Sequence, residues 1–324
     1  MARKTSRPVV VITDHRDAHL PFVQKHLDTP LVVLDPTQFA EGKELTFYFE
    51  SGKTVVVYDG ARLTDVAGVW YRKPLPIDAN KLPLQDDFKD YSKSAMQRHV
   101  NLLLVAFENA TWVSDYFAIL RASNKSLQLA IAQRLGMQVP ETVITSDKKV
   151  AEVFIAEHPR CVTKPLTINH PIAKGTQKAF FTTLLKDGFV PDLSNLHLAP
   201  AIFQQAVDIV YDVRVIVIGD KVFAATIHAE GLPEDTRVYD YRLANYGGKV
   251  VIEAHNKFPE ELAKLCVAHT RALGLRFGAL DFVLDKHGTY WFLENNPNGQ
   301  WAFVEEETGQ PIGKAMAGLL SGGK

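Results

Sequence analysis

Residues Leu280 to Pro297 hold two apolar runs rich in β-branched and aromatic side chains, joined by a short turn that contains Gly288. This pattern predicts an antiparallel hairpin. With the turn centred on His287-Gly288, Asp285 faces Tyr290, Val283 faces Phe292 and Asp281 faces Glu294. Directly opposed carboxylates on one face of a strand pair repel each other, so the arrangement calls for a compensating charge. Asn296 lies two residues beyond Glu294 and projects from the same face if the strand continues. Two carboxylates and an amide oxygen converging ahead of a Pro-Asn-Gly loop suit Mg²⁺, a hard cation that takes oxygen ligands. The alternative is that both acids sit at strand ends in water, the usual fate of an isolated pair. That alternative explains neither the register nor the amide, and the metal reading is preferred.

A chain of 324 residues can bury a large core and should divide into two or three domains. A hydrophobic fraction of 46% and a charged fraction of 23% are those of an ordinary globular protein. The net charge of −1 provides no global field toward nucleic acid or an anionic membrane. No run approaches the roughly 20 apolar residues of a membrane span. The basic start is followed only by Val9-Val10-Val11-Ile12, too short for a signal-peptide core and better read as a buried strand. Cys161 and Cys266 are far apart in apolar settings, which predicts two buried thiols and a cytoplasmic protein.

Three zones follow, with expected bounds 1–115, 116–200 and 201–324. In the first, Pro8–Ile12, Leu31–Leu34 and Val66–Tyr71 read as strands, and Leu45–Phe49 with Thr54–Tyr58 as a hairpin. From Asp86 to about Glu108 a helical period runs through Phe88, Tyr91, Ala95, Val100, Leu103 and Phe107. In the second zone, Asn124–Leu135 reads as an amphipathic helix closed by Gly136, with Leu127, Ala130, Ile131 and Leu135 on one face. Then come a strand at Thr142–Thr145, a helix at Lys148–His158 and a strand at Cys161–Lys164. A Gly- and Lys-bearing loop at 173–178 and a strand at Ala179–Leu184 complete it. In the third, Asp212–Ile218 and Val222–Ile227 form a hairpin about Gly219-Asp220. A polar segment, Glu230 to Gly248, lines a site. Glu260–Leu273 and Ile312–Leu320 are helices flanking the 280–297 hairpin. The class is mixed α/β (α+β).

Lys125 opens a helix, where free backbone N–H groups and the positive dipole end already favour anions. Lys164 ends a buried strand. Taken singly, each reads better as a snorkelling surface lysine. With the glycine loop and the oxygen triad beside them, they point to a nucleoside triphosphate. No GxxxxGK[ST] occurs, so the chain is not a P-loop NTPase. Asp212 and Arg214 alternate on one strand face, and Arg237 and Arg242 lie in the polar segment. Arginine suits bidentate phosphate or carboxylate contacts, although a structural Asp–Arg pair is the plainer reading of any one of them. The histidines show no metal-ligand spacing. No Gly-x-Ser-x-Gly elbow is present, and no dinucleotide fingerprint follows the first strand.

Taken in order, Lys125, Lys164, the glycine loop, Phe203-Gln204-Gln205, Asp212-x-Arg214 and Asp281…Glu294-x-Asn296 resemble the ATP-grasp ligases over roughly Ala118 to Leu320. Finer features are Val69-Trp70-Tyr71-Arg72-Lys73-Pro74, the run Arg121-Ala-Ser-Asn-Lys125-x-x-Gln128-Leu129 and Asn-Pro-Asn-Gly-Gln-Trp301. These look like the graspetide (microviridin-type) maturases, which form ω-ester and ω-amide macrocycles in ribosomal peptides. The ligases that add glutamate to ribosomal protein tails are more distant relatives. The resemblance implies an N-terminal pre-ATP-grasp domain, a small central lid and a C-terminal antiparallel sheet carrying Mg-ATP. It implies Mg²⁺ on Asp281, Glu294 and Asn296, and the triphosphate of ATP on Lys125 and Lys164. Adenine would lie near Gln204, Gln205, Ala206 and Val207, with Asp212 also on the nucleotide side. Arg214 and Arg242 would stabilise an acyl phosphate formed on a peptide Asp or Glu, which a Ser/Thr hydroxyl or a Lys amine then attacks. Trp70, Arg72, Arg237, Gln300 and Trp301 would contact the precursor peptide. One position departs from the pattern: a glutamate is expected where Gln205 stands.

Two other readings stay open. An ATP-grasp ligase joining an amino acid or small amine to a small carboxylate would use the same core residues. A catalytically silent nucleotide- or peptide-binding module would not need the complete triad and both lysines. No nucleic-acid or membrane partner is expected, and the oligomeric state, a homodimer included, is left open by the sequence.

Overall fold

All four side chains of Val9–Ile12 are buried, which requires cover on both faces of the strand. This computed structural model describes residues 7–166, 172–173, 176–177, 182–185, 189–230 and 249–323. In it Val9–Ile12 lies inside a four-stranded sheet, between Leu31–Leu34 and Gly68–Tyr71, with Thr111–Val113 at the far edge. All three pairings are parallel. Alternate residues enter different cores, as a two-residue period demands. Val10, Ile12 and Val69 pack with Val56, Val100 and Leu103. Val9, Val11 and Trp70 pack with Ile216, Phe277 and Met316 from the far end of the chain. A core therefore spans both ends of the sequence.

The terminal helix Ile312–Leu320 closes this core. A Cβ on Gly68 would lie 2.2 Å from the Leu320 carbonyl oxygen, so only glycine lets the helix end approach the strand.

The second large sheet is antiparallel and five-stranded. Its order is Lys249–Ala254, Lys221–Glu230, Ile209–Ile218, Phe277–Asp285, Tyr290–Asn296. One face, through Val213, Val215, Leu280, Phe282 and Phe292, packs against helices Lys125–Arg134 and Glu260–Ala272. A smaller antiparallel sheet orders Thr183–Leu185, Cys161–Pro165, Ala201–Gln205 and Thr142–Thr145. Helix Lys148–Glu157 covers it through Ala151, against Cys161, Leu185 and Phe203. Phe203-Gln204-Gln205, quoted above for the resemblance, ends a strand of this sheet. Both cysteines are free and buried.

The 280–297 hairpin forms, but its register differs near the turn. Leu284 faces Tyr290, Val283 faces Trp291 and Phe282 faces Phe292, one step from the expected pairing. A bulge between Phe282 and Asp281 then restores Asp281 opposite Glu294. The cause is Asp285, the last residue of its strand, whose side chain serves the turn. Its carboxylate accepts the His287 and Thr289 N–H groups at 2.8 and 2.9 Å and the Trp291 indole at 2.9 Å. Asx chemistry at a turn's first residue competes with strand pairing. Gly288 sits at φ 83°.

The helix from Asp86 ends at Asn101 and continues as a 3₁₀ turn, Leu102–Val105. Only the end of its apolar row is buried: Val100, Leu103 and Phe107 enter the core while Phe88 and Tyr91 stay 58% and 76% exposed. Short strands at Ala61–Leu63 and Thr111–Val113 and helices Tyr116–Ala122 and Ala302–Thr308 were not legible from periodicity. Residues 179–181 of the expected 179–184 strand, residues 174, 175 and 178 of the 173–178 loop and the segment 231–248, with Arg237 and Arg242, lie outside the described residues.

Candidate active site

Strand register places three of the expected site residues side by side. Arg214 is opposite Asp281, and Asp281 is opposite Glu294. Directly opposed residues share a face. The repulsion between the two acids is met by a cation on each. Arg214 donates through Nε to Asp281 Oδ1 at 2.6 Å and through Nη2 to Oδ2 at 3.3 Å, a fork geometry suited to a carboxylate. Lys125 Nζ reaches Glu294 Oε2 at 2.6 Å.

Lys125 arrives from a separate helix whose placement is built in. Asn124 caps it, accepting the Leu127 N–H at 3.1 Å. Gln128, buried on the same helix, then grips the strand beside Glu294. Its Nε2 donates to the carbonyls of Asn295 and Ala122 at 2.7 and 2.6 Å, and its Oε1 accepts the Asn295 N–H at 2.8 Å. His269 completes the set, with Nε2 donating to the Gln128 carbonyl at 3.0 Å. Its Nδ1 therefore accepts from Asn295 Nδ2, at 3.3 Å. Gln128 had no role assigned from its residue type. The available signal was a polar side chain interrupting the apolar row beside Leu127 and Ile131.

Lys164 projects from the small sheet, where Nζ donates to Gln204 Oε1 at 2.8 Å and Gln204 Nε2 donates to Thr142 Oγ1 at 2.8 Å. Its charge reaches Glu294. Burial pushes the Glu294 carboxyl up, and the charges of Lys125, Lys164 and Arg214 outweigh burial, so it sits below the ordinary glutamate value. Four of the expected residues, Lys125, Lys164, Arg214 and Glu294, are thus electrostatically one group, with Asp281 ion-paired to Arg214.

Asn296 follows Glu294 by two residues, opposite Ala279, and its Oδ1 accepts the Asn298 N–H at 3.1 Å. Asp212 shares the Arg214 face, opposite Val283. Gln205, Ala206 and Val207 are half-buried where the chain leaves the small sheet. Gln205 and Ala206 donate their N–H groups to the Glu141 and Arg160 carbonyls at 2.8 and 2.9 Å.

The expected peptide contacts need correction. Trp70, Arg72 and Trp301 are 1%, 1% and 0% exposed, so none of them presents a side chain to a substrate. The two tryptophans stack with centroids 6.4 Å apart inside the core shared by the two large sheets. Gln300 is exposed, as a substrate contact requires, and its backbone carbonyl holds Arg214 Nη1 at 2.9 Å. Lys73 was not assigned a role. Although the residue is exposed, desolvation of its ammonium, helped by the charges of Arg72 and Arg214, holds it below the usual lysine value.

The family model for the RimK-like ATP-grasp domain matches residues 122–320, which hold every one of these charged groups except Arg72 and Lys73. The chain belongs to the RimK-like ATP-grasp family. No curated protein matches the sequence. Among solved structures, this ATP-grasp chain is similar to a RiPP-associated ATP-grasp ligase of Chryseobacterium gregarium, in complex with ADP and a leader and core peptide. The TM-score is 0.85 at 21% identity, over 97% of this chain and 96% of that one. It is also similar to the macrocyclase MdnC of Microcystis aeruginosa bound with its precursor peptide, with TM-score 0.80, 21% identity and coverage of 97% and 99%. The ATP-grasp ligase PsnB, complexed with a phosphomimetic variant of its minimal precursor, Mg and ADP, gives 0.77 at 23% identity over 98% of each chain. The ATP-grasp architecture therefore runs through nearly the whole chain, N-terminal parallel sheet included.

The donor set fits the magnesium such ligases use. Asp281, Glu294 and Asn296 offer only oxygen, and the two carboxylates keep 23% and 36% of their side-chain surface accessible beside their cations.

Proposed function

We propose that this protein is an ATP-dependent ligase that activates an Asp or Glu side chain of a peptide and joins it to a Ser/Thr hydroxyl or Lys amine of the same peptide. The observation that carries the reading is the paired-charge row Arg214–Asp281–Glu294–Lys125, with Lys164 in electrostatic reach. Asp281, Glu294 and Asn296 would hold Mg²⁺, and Lys125 and Lys164 the phosphates of ATP. Gln204 to Val207 and Asp212 complete the nucleotide side. Bound there, Mg-ATP supplies the phosphoryl group that turns a carboxylate into an acyl phosphate. The protein's share is positioning and charge neutralisation. Arg214, held flat against Asp281, presents a cation where negative charge grows on the acyl group, and Arg242 would assist. Gln300 and Arg237 remain candidates for the peptide side.

The peptide substrate is supported by the similar structures that hold leader, core or precursor peptides. Three units, 1–115, 116–200 and 201–324, correspond in this reading to the pre-ATP-grasp domain, the lid and the metal-nucleotide sheet. Two free, buried thiols accord with a cytoplasmic setting, and no described helix is long and apolar enough to cross a membrane. A homodimer is the assembly to test, by light scattering.

The deciding experiment uses a short peptide, encoded beside this reading frame, with repeated Thr/Ser and Asp/Glu. Incubated with the protein and Mg-ATP, it should lose one water per ring by mass spectrometry. A gain in mass by coupling to a free amine would instead establish the small-amine ligase. An unchanged peptide with no ADP formed would leave only the silent binding module.

A further inference from the structure

Residues 297–301 form a strap between the strand that ends at Asn296 and the helix that begins at Ala302. The strap is held from two sides. From the antiparallel sheet, Arg214 donates Nη1 to the Gln300 carbonyl at 2.9 Å while its Nε rests on Asp281. From the side of the parallel sheet come two residues, one directly after a strand and one at the start of the helix Leu20–Gln24. Arg72 follows Gly68–Tyr71 and donates through Nη1 to the Asn298 carbonyl and through Nη2 to Gln300 Oε1 at 2.9 Å. His19 lies beyond Val9–Ile12 and accepts the Trp301 N–H at Nε2, 3.0 Å.

That last bond determines the tautomer. With Nε2 accepting, the ring proton sits on Nδ1 and is donated to Asp17 Oδ1 at 2.6 Å. The other Asp17 oxygen lies 3.6 Å from Arg72 Nε. Asp17 thus orients His19 by a hydrogen bond and sets its charge beside the Arg72 guanidinium. Gly299 tightens the fit, since a Cβ there would lie 2.3 Å from the Ala279 side chain.

The arrangement is expensive. Arg72 and His19 are each 1% exposed, and burial draws the Arg72 guanidinium down to about 10. Apolar residues of similar volume would pack here without desolvating a charge. What the polar set provides and apolar packing would not is a fixed position for the Gln300 carbonyl, hence for one edge of the Arg214 guanidinium.

We propose that Asp17, His19 and Arg72 are positioning residues that lock the 297–301 strap and through it aim Arg214 at the reacting carboxyl group. The proposal rests on the reading of Arg214 as the acyl-phosphate-stabilising cation. It also gives the N-terminal sheet a part in catalysis that does not depend on touching substrate. Among the described residues His19 and Arg72 touch the strap, and none of the three side chains touches Lys125, Lys164, Asp281 or Glu294. The strap meets the side chains of the metal set through the Asn298 N–H on Asn296 Oδ1 at 3.1 Å, so their effect should fall on turnover more than on nucleotide binding.

The test uses the full chain, with MgADP affinity by calorimetry, steady-state release of ADP from Mg-ATP, and amide exchange of residues 298–301 by mass spectrometry. Arg72→Met and His19→Phe preserve bulk and remove the grip. His19→Gln keeps an acceptor for the Trp301 N–H. In the first two variants kcat should fall about 10- to 100-fold, the scale of an ångström-sized misplacement. MgADP Kd and the KM for Mg-ATP should stay within about 3-fold of wild type, and strap amides should exchange faster. His19→Gln should recover kcat to within about 3-fold. A purely structural role would lower the melting temperature and leave kcat of the folded protein intact. Folded His19→Phe and Arg72→Met proteins with wild-type kcat and strap protection, or a His19→Gln variant no better than His19→Phe, would overturn the inference alone. A wild type that binds no MgADP overturns the nucleotide reading, and the inference falls with it.

Discussion

Arg214 and Asp281 stand directly opposite each other on neighbouring strands, joined by guanidinium contacts of 2.6 and 3.3 Å. Asp281 is in turn opposite Glu294, whose own cation, Lys125, comes from a helix 169 residues earlier in the chain. Each acid therefore has its charge matched, and either acid made neutral leaves a cation without its partner. Asp281→Asn and Glu294→Gln should each reduce ADP formation by at least about 100-fold, the scale seen when one charge-stabilising group is lost from an active site. A coupled assay of ADP release checks this, and retained turnover in either variant would remove the metal assignment.

Gln128 is predicted to matter as much for stability as for the site. Gln128→Leu keeps the volume and strands the Asn295 N–H, with the Asn295 and Ala122 carbonyls, in a buried setting. An unsatisfied buried polar group costs about 1–3 kcal/mol, so a loss of about 3 kcal/mol is expected by urea unfolding. A change under about 1 kcal/mol would mean that water or a rearranged helix replaces those bonds.

Gly68→Ala should be among the most damaging small substitutions. The new methyl would collide with backbone at Leu320, not with a side chain that could swing aside. Strand and terminal helix must separate, opening the core that both large sheets share. Several kcal/mol are at stake by analogy with overpacked cores, and circular dichroism melting would read it. A melting temperature equal to wild type would show that the helix end moves freely.

Stability should fall on mild acidification. His19 and His269 both sit below the ordinary value because burial disfavours the charged imidazolium. The unfolded chain then takes up protons that the folded one refuses, beginning near pH 6.5. Stability is present above that pH and is lost as pH falls below it. A second loss comes at lower pH from Asp17. Its burial is outweighed by hydrogen bonds from His19 and by the charge of Arg72, and its carboxyl is lowered to about 2 from 3.8. The Asp17 contribution, on the order of 2 kcal/mol, disappears between those values. Urea midpoints at pH 7.5, 6.5 and 5.5 should decline, and His19→Gln should flatten the curve. An equal slope in both proteins would mean that His19 is charged in the fold.

Short apolar and β-branched runs made most sheet strands legible, continuous where both faces are covered, as in Val9–Ile12, and alternating where one face is. Thr142–Thr145, Leu31–Leu34 and the helix Ile312–Leu320 have the bounds expected of them. The helix from Asp86 was legible in type but not in burial, since apolar spacing does not say how far the sheet beneath a helix extends. Thr111–Val113 is too short to show a period and exists because Gly68–Tyr71 pairs with it. The hairpin register failed at the turn because Asp285 spends its carboxylate on turn N–H groups and the indole of Trp291.

By itself the sequence marked the charged groups that the fold then brings together. Lys125 opens a helix, Lys164 lies one residue from a strand end, and Arg214, Asp281 and Glu294 lie within strands, where side-chain direction follows from local period. Only the tertiary structure decided which of the residues around them are buried and which exposed. Trp70, Arg72 and Trp301 carry the same motif signal as exposed contacts would, yet the packing of one sheet on another buries all three. Burial is set by partners that are distant in sequence, Trp70 and Trp301 being 231 positions apart, and no local pattern encodes that contact.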